Sequence, residues 1–152
     1  MSPGLKWDER FMALAKEVMS WSKDPRKKVG AVVVSPDGRR ISLGFNGLPK
    51  GFPDDMVLDR ETKNAYSLHA EDNAIAQAGT DLTGWTMYVT EQPCLRCALA
   101  IHRAGITRVV TIVRYRDGQQ VESSWDAEQL AAKSFFSNYG VEIAYFAEEE
   151  IS

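Results

Sequence analysis

The chain predicts an α/β domain: a sheet covered by helices, parallel in at least part of its second half. Three observations carry that expectation. An amphipathic stretch opens the chain and is followed by two β-rich runs around a Pro36-Asp37-Gly38 turn. From His69 onward, helix-type and strand-type segments alternate, a pattern that builds a helix-covered sheet. Apolar residues make up 44% of the chain and charged residues 26%, the balance of a folded chain rather than a disordered one. At 152 residues the chain fits one domain, 1–152, with room for a real core.

The elements follow in order. Asp8 to Trp21 reads as a helix because Phe11, Met12, Ala15, Val18 and Met19 recur at helical spacing, with Asp8-Glu9 near its start. Pro25 argues for a stop. Val29 to Val34 and Ile41 to Phe45 read as a hairpin. Asn46 to Ser67 is polar and turn-rich, and a loop that long inside a compact domain is usually functional. His69 to Ala78 is a helix ended by Gly79, and Thr86 to Thr90 is a strand. Cys94 to Ala104 is a helix with Pro93 in its first turn and Gly105 as its stop. Arg108 to Val113 is a strand, Trp125 to Asn138 a helix closed near Gly140, and Val141 to Phe146 the last strand. There is no repeat, linker or low-complexity segment beyond the acidic Glu148-Glu149-Glu150.

Composition excludes several classes. A formal net charge of −3 gives a polynucleotide partner no support. Two cysteines in one C-x-x-C pair do not make a disulfide framework. No apolar run approaches the ~20 residues of a membrane span. Met1 to Trp7 lacks the apolar core of a signal peptide, so a cytoplasmic location is expected.

The chemistry concentrates in two short runs, His69-Ala70-Glu71 and Pro93-Cys94-Leu95-Arg96-Cys97. They use both cysteines and one of the two histidines of the chain. Cys94 and Cys97, three apart at a helix start, place their sulfurs on one face, where exposed N–H groups and the helix dipole favour thiolates. His69 opens its own helix. A His/Cys/Cys set leaves the fourth zinc position open for water, as catalytic rather than structural sites do. Zinc lowers the pKa of bound water from 15.7 to about 7. Thiolate ligands soften that effect, so a base is useful, and Glu71 is placed to take the water's proton, pass it to a ring nitrogen and help ammonia leave. H-x-E followed by P-C-x-x-C is the pattern of zinc nucleobase deaminases, which attack C4 of cytosine or C6 of adenine. Other readings of the parts fit less well. A thioredoxin-like redox pair needs no histidine. A structural zinc needs a fourth ligand, and His102, deep in the helix after Cys97, suits a surface or capping role better. Glu71 alone would be an ordinary helix-surface acid.

Longer stretches bring in a resemblance. Trp7 to Ala15, Ser22-Lys23-Asp24-Pro25 with Val29-Gly30-Ala31, Gly44 to Pro49 (GFNGLP), Asp54-Asp55, His69 to Ile75 (HAEDNAI), Met87-Tyr88-Val89, Pro93 to Ala98 and Ala104-Gly105-Ile106 together resemble the deoxycytidylate (dCMP) deaminases of the cytidine deaminase-like superfamily. The zinc motif alone gives the superfamily; the GFNG-x-P and SKDP…VGA segments narrow it to nucleotide deaminases. The resemblance implies a three-layer α/β/α fold around a five-stranded mixed sheet. It implies one catalytic Zn2+ per chain and conversion of dCMP to dUMP and ammonia, feeding thymidylate synthesis. It also implies a homo-oligomer, with a hexamer favoured, and dCTP and dTTP as effectors, Mg2+ accompanying a triphosphate.

Roles carry over where positions match. Asn46 resembles the asparagine that bonds the sugar hydroxyl, although Asn46-Gly47 is also a turn pair. Ser22 and Arg26 resemble phosphate contacts; Arg26 has the donor fork for it, but with Lys27 and Lys28 it also reads as a solvated basic turn. Tyr115-Arg116 resembles a pair covering the nucleotide. Pro93 would present neighbouring backbone to the amino group of the base. Trp125 reads equally as core or lid. Two departures stand out. Asp72 replaces the usual Leu or Met, a carboxylate that would face solvent, another subunit or an effector. Lys50 to Ser67 holds no Cys or His for a second zinc, which bears on effector control as well. The competing functions are a deaminase of another substrate (cytidine, guanine, tRNA adenosine, or dCTP alongside dCMP) and a silent nucleotide-binding regulatory subunit, which would have no need of Glu71.

Overall fold

The computed structural model describes residues 5–53, 59–113, 115–116, 119–120 and 125–148. The elements are α1 (Leu5–Met19), β1 (Gly30–Val34), β2 (Ile41–Phe45), α2 (Arg60–Tyr66), α3 (Ala70–Ala78), β3 (Thr86–Val89), α4 (Leu95–Arg103), β4 (Arg108–Val113), β5 (Tyr115–Arg116), β6 (Gln119–Gln120), α5 (Ala127–Asn138) and β7 (Glu142–Ala147). Five strands form one mixed sheet in the order β2-β1-β3-β4-β7. β1 runs antiparallel to β2 and β3, whereas β3, β4 and β7 are mutually parallel. The parallel half is thus the second half, as the alternation implied.

β1 (GAVVV) and β3 (TMYV) are buried along their whole length, as strands covered on both faces must be. On one face α1 packs Phe11, Met12, Ala15 and Val18 against Val32, Val34, Tyr88 and Val110. On the other, Ala70 and Ala74 of α3, Ala98 and Ile101 of α4, and Ala132 and Phe136 of α5 pack against Ala31, Val33, Met87, Val89 and Val109. The architecture is therefore the three-layer α/β/α sandwich around a five-stranded mixed sheet.

Several boundaries differ from the sequence expectation. α1 starts at Leu5, ahead of Asp8. Asp8 does not serve the helix dipole from the surface; it is buried, takes a bidentate contact from Arg108 at 2.9 and 2.8 Å and accepts from the Tyr88 hydroxyl at 2.6 Å. The stretch Asn46 to Ser67 is not all loop, because α2 forms within it, capped by Asp59. α2 buries none of its residues, so it has no apolar period to betray it. Pro93 lies outside the first turn of α4: Cys94 is the N-cap, so the proline precedes the cap. α5 begins at Ala127 behind an Asp126/Gln129 capping box, which leaves Trp125 outside the helix.

Candidate metal centre and nucleotide cavity

α3 and α4 begin side by side, and the residues that open them carry the chemistry. His69 is the N-cap of α3 and Cys94 the N-cap of α4, each with extended backbone and neither using its side chain as a cap. Their side chains turn toward each other instead. His69 Nδ1 lies 3.2 Å from Cys97 Sγ and 3.6 Å from Cys94 Sγ. All three donor atoms fall within 4.8 Å of one another. A tetrahedral zinc with bonds of ~2.0–2.3 Å separates neighbouring ligands by about 3.5 Å. The donor set and its spacing therefore fit zinc. Among the described residues this metal-competent group has no fourth His, Cys, Asp or Glu. His102 stands apart, its ring edge-on to Phe135 at 5.4 Å.

Without a metal, one thiol is drawn toward its ligating form while the other two donors hold their protons. The Cys94 thiol is drawn down to about 4 by hydrogen bonds from Cys97 and His69. Cys97 is held up by its bond to Cys94 and by burial. The contact with Cys94 raises His69, so the metal-free imidazole holds its proton longer. Glu71, 5% exposed, is pushed up to about 7, chiefly by burial. A carboxyl group that titrates near neutrality two residues from the imidazole is suited to hold and release one proton.

Neighbouring segments fix α3. Ser42 donates to the Ala74 carbonyl at 2.6 Å and Asn73 to the Phe45 carbonyl at 2.8 Å. Leu68 and Gly47 exchange backbone bonds of 2.8 and 3.1 Å, pinning the residue before His69 to the GFNG turn. Asp72 meets Arg96 at 2.8 Å. The unusual acid thus bridges the starts of the two helices.

Above the triad opens a cavity of about 280 Å3, lined by His69, Glu71, Cys94 and Asn46, among others, near the lower end of small-ligand pockets. Asn46 reaches its wall, but its amide also braces the fold. Oδ1 accepts from Val29 N–H and Nδ2 donates to the Lys27 carbonyl, both at 2.8 Å. Each atom keeps capacity for one further bond. Ser22 is buried, and its hydroxyl donates to the Asn46 carbonyl at 2.9 Å; it is not on the cavity wall. Pro93 is buried between two wall residues, Gln92 and Cys94. Arg26 lines a neighbouring cavity with Trp125. Trp125 packs against Tyr145 with the rings tilted by 31° and their centroids 5.8 Å apart. The side chains of Tyr115 and Arg116, and Asp54-Asp55, lie outside the described residues.

The structure adds wall residues that sequence reasoning missed: Lys27, Glu91, Gln92, Asp126 and Gln129. Lys27 and Glu91 pair at 2.6 Å. Gln92 donates to the Gln129 carbonyl at 3.2 Å, and Gln129 returns a bond to the Gln92 carbonyl at 3.0 Å. The pattern Asp126-x-x-Gln129 is a capping-box signature that would have placed the start of α5 at Ala127.

Comparison with known proteins follows the same lines. The family described as the cytidine and deoxycytidylate deaminase zinc-binding region matches residues 5–113. Human deoxycytidylate deaminase is 37% identical over 151 residues, covering 93% of this chain and 80% of the relative. An uncharacterized deaminase of Aliivibrio fischeri is 41% identical over 141 residues, covering 92% of this chain and 93% of that one. The crystal structure of dCMP deaminase from cyanophage S-TIM5, in complex with dCMP and dUMP, superposes with a TM-score of 0.72 at 29% identity, over 96% of this chain and 99% of that one. With a matching family region that contains both short motifs, and relatives aligned along nearly its whole length, this chain belongs to the cytidine and deoxycytidylate deaminases.

Proposed function

We propose that this chain, as one domain, catalyses the hydrolytic deamination of dCMP to dUMP and ammonia, supplying dUMP for thymidylate synthesis. The observation that carries the reading is the convergence of His69 Nδ1, Cys94 Sγ and Cys97 Sγ beside buried Glu71 on one small cavity. His69, Cys94 and Cys97 would hold one zinc ion, whose chemistry is to acidify a water at the open position. Glu71 takes the proton of that water at its carboxylate and hands it to the ring nitrogen next to the amino carbon. It then carries the second proton to the departing amino group, so water's oxygen ends on the ring and nitrogen leaves as ammonia. Asn46 meets the sugar with the bonding capacity left on its amide. Ser22 acts through Asn46, whose carbonyl it holds, and Pro93 sets the backbone of Gln92 and Cys94 on the cavity wall. Arg26 supplies the charge for a phosphate from the adjoining cavity.

The relatives support the choice of dCMP: deoxycytidylate deaminases align over most of the chain. The test is a substrate panel of dCMP, CMP, deoxycytidine and guanine on zinc-loaded protein, followed by ammonia release. Turnover confined to dCMP is the expected result. Equal turnover of deoxycytidine would remove the phosphate from the reading, and turnover of guanine alone would overturn it.

A further inference from the structure

Gln92 and Gln129 are buried, and both reach the wall of the triad cavity. Their amides interlock. Gln92 Nε2 donates to the Gln129 carbonyl at 3.2 Å, and Gln129 Nε2 donates to the Gln92 carbonyl at 3.0 Å. Gln129 Nε2 also donates to Glu91 Oε1 at 3.3 Å, while its Oε1 accepts from the Asp126 N–H at 3.0 Å. The cap of α5 uses only that oxygen, and glutamate serves a capping box as well as glutamine does. What the amide adds is a pair of donors, and both go to the segment before Cys94. The Gln92 carbonyl is the telling acceptor. It belongs to the peptide that joins Gln92 to Pro93, and proline brings no N–H. That peptide plane has one polar handle, and among the described residues the Gln129 side chain is what holds it. Cys94 follows directly. The far ends of the interlock are braced in turn: Tyr145 donates its hydroxyl to Gln92 Oε1 at 3.3 Å, and Lys27 meets Glu91 Oε1 at 2.6 Å.

We infer that Gln129 is a positioning residue for the deamination. Acting through the Gln92 carbonyl, it fixes the tilt of the backbone from Gln92 to Cys94, the strip of cavity wall against which the amino-bearing end of the base must lie. The inference rests on the deaminase reading above. It makes the first turn of α5, which supplies no metal donor, part of the machinery that aligns the reacting carbon with Glu71.

The experiment compares wild type, Gln129→Glu and Gln129→Met. Zinc per chain, Tm, kcat and KM for dCMP are measured, with dUMP affinity by calorimetry, at a temperature well below every Tm. Gln129→Glu keeps the oxygen that caps α5 and removes the donors; Gln129→Met keeps the bulk and removes both. We expect both variants to hold one zinc and to bind dCMP and dUMP within about threefold of wild type, because sugar and phosphate contacts persist. We expect kcat to fall on the order of 10- to 100-fold in each, as misalignment at the reacting carbon does. Wild-type kcat in Gln129→Glu overturns the inference and leaves Gln129 a helix cap. A raised KM at unchanged kcat overturns it as well, making the residue a binding contact. Loss of zinc overturns it in favour of a support for Cys94. If Gln129→Glu fails to fold, Gln129→Met decides, and unchanged kcat there overturns the inference. Wild-type protein that turns over no dCMP overturns the deaminase reading itself.

Discussion

Gly44 is the position where a single methyl group would test how this site is held. It lies on the buried face of β2, directly under α3. A methyl built there would sit 2.9 Å from Ala74 Cα, and closer still to the Ala74 nitrogen and the Ala70 carbonyl oxygen. Ordinary contact begins at 3.4 Å, and the atoms struck are helix backbone, with no rotamer to yield. Gly44→Ala therefore forces α3 back by on the order of 1 Å, an overpacking that costs about 3 kcal/mol. In a chain of this size that lowers Tm by roughly 10 °C. The helix carries His69 and Glu71, whereas Cys94 and Cys97 belong to α4. The sulfur–nitrogen distances of 3.2 and 3.6 Å would no longer match one ion. A misplacement of that size costs about 100-fold in turnover. Gly47 belongs to the same GFNG segment, but a methyl there meets nothing within 4 Å, so Gly47→Ala is the control. Thermal unfolding, zinc content and kcat measured on both variants decide the matter. A Gly44→Ala protein with unaltered Tm, zinc and kcat would refute the idea that backbone contact between β2 and α3 sets the metal geometry.

Three further outcomes are expected. Glu71→Gln keeps the fold and one zinc per chain, by metal analysis, and loses about 1,000-fold or more in kcat, in line with the loss of a general acid–base group; retained turnover would remove Glu71 from the mechanism. In metal-free protein, burial pushes Glu71 up to about 7. Because that exceeds its unfolded value, the stability it lends is present below about 4.5 and is lost as pH rises through about 7. Metal-free Glu71→Gln should therefore gain on metal-free wild type between pH 5 and 8 in urea unfolding, by about 3 kcal/mol at most, and a constant difference would contradict the burial argument. Asp8→Ala leaves the Arg108 guanidinium, whose side chain is 12% exposed, with the 3.5 Å contact to Glu142 as its one carboxylate pair among the described residues. The stability loss should be about 3 kcal/mol by urea unfolding, with kcat unaffected, since this network ties α1 to β3 and β4 and does not line the triad cavity.

The triad was legible because its chemistry is local. Cys94 and Cys97 are one helical turn apart, His69 opens the preceding helix, and the spacing alone brings the donors to two helix starts. The parallel half of the sheet was legible from helix–strand alternation. The cavity walls were not. Gln92 and Gln129 meet across 37 positions of sequence, and Lys27 and Glu91 pair from separate turns. No periodicity records such encounters, because they arise only when the turn before β1, the segment after β3 and the start of α5 meet at one end of the sheet. α2 was missed because a helix that buries nothing carries no apolar period. Arg26 was placed near phosphate by its type and its motif, but only the coordinates separate its cavity from the one holding Glu71.

The two helix starts show where the fold gives up stability for chemistry. An N-cap normally accepts a hydrogen bond from the first turn of its helix, and losing that bond costs about 1 kcal/mol. Asp59 and Asp126 make this bond for α2 and α5. His69 and Cys94, the caps of α3 and α4, do not. Their side chains are turned to the shared donor triangle, at the positive ends of both helices. That placement raises the local positive potential and favours a thiolate. It also leaves the first turns of α3 and α4 dependent on what ties them together. One such tie is the Asp72–Arg96 pair, but its arginine side chain is 67% exposed, and exposed pairs contribute little. The other is a metal shared by His69, Cys94 and Cys97. Metal occupancy should therefore stiffen against each other two helix starts that the Ser42 and Asn73 bonds already hold in place, with Glu71 buried beside them.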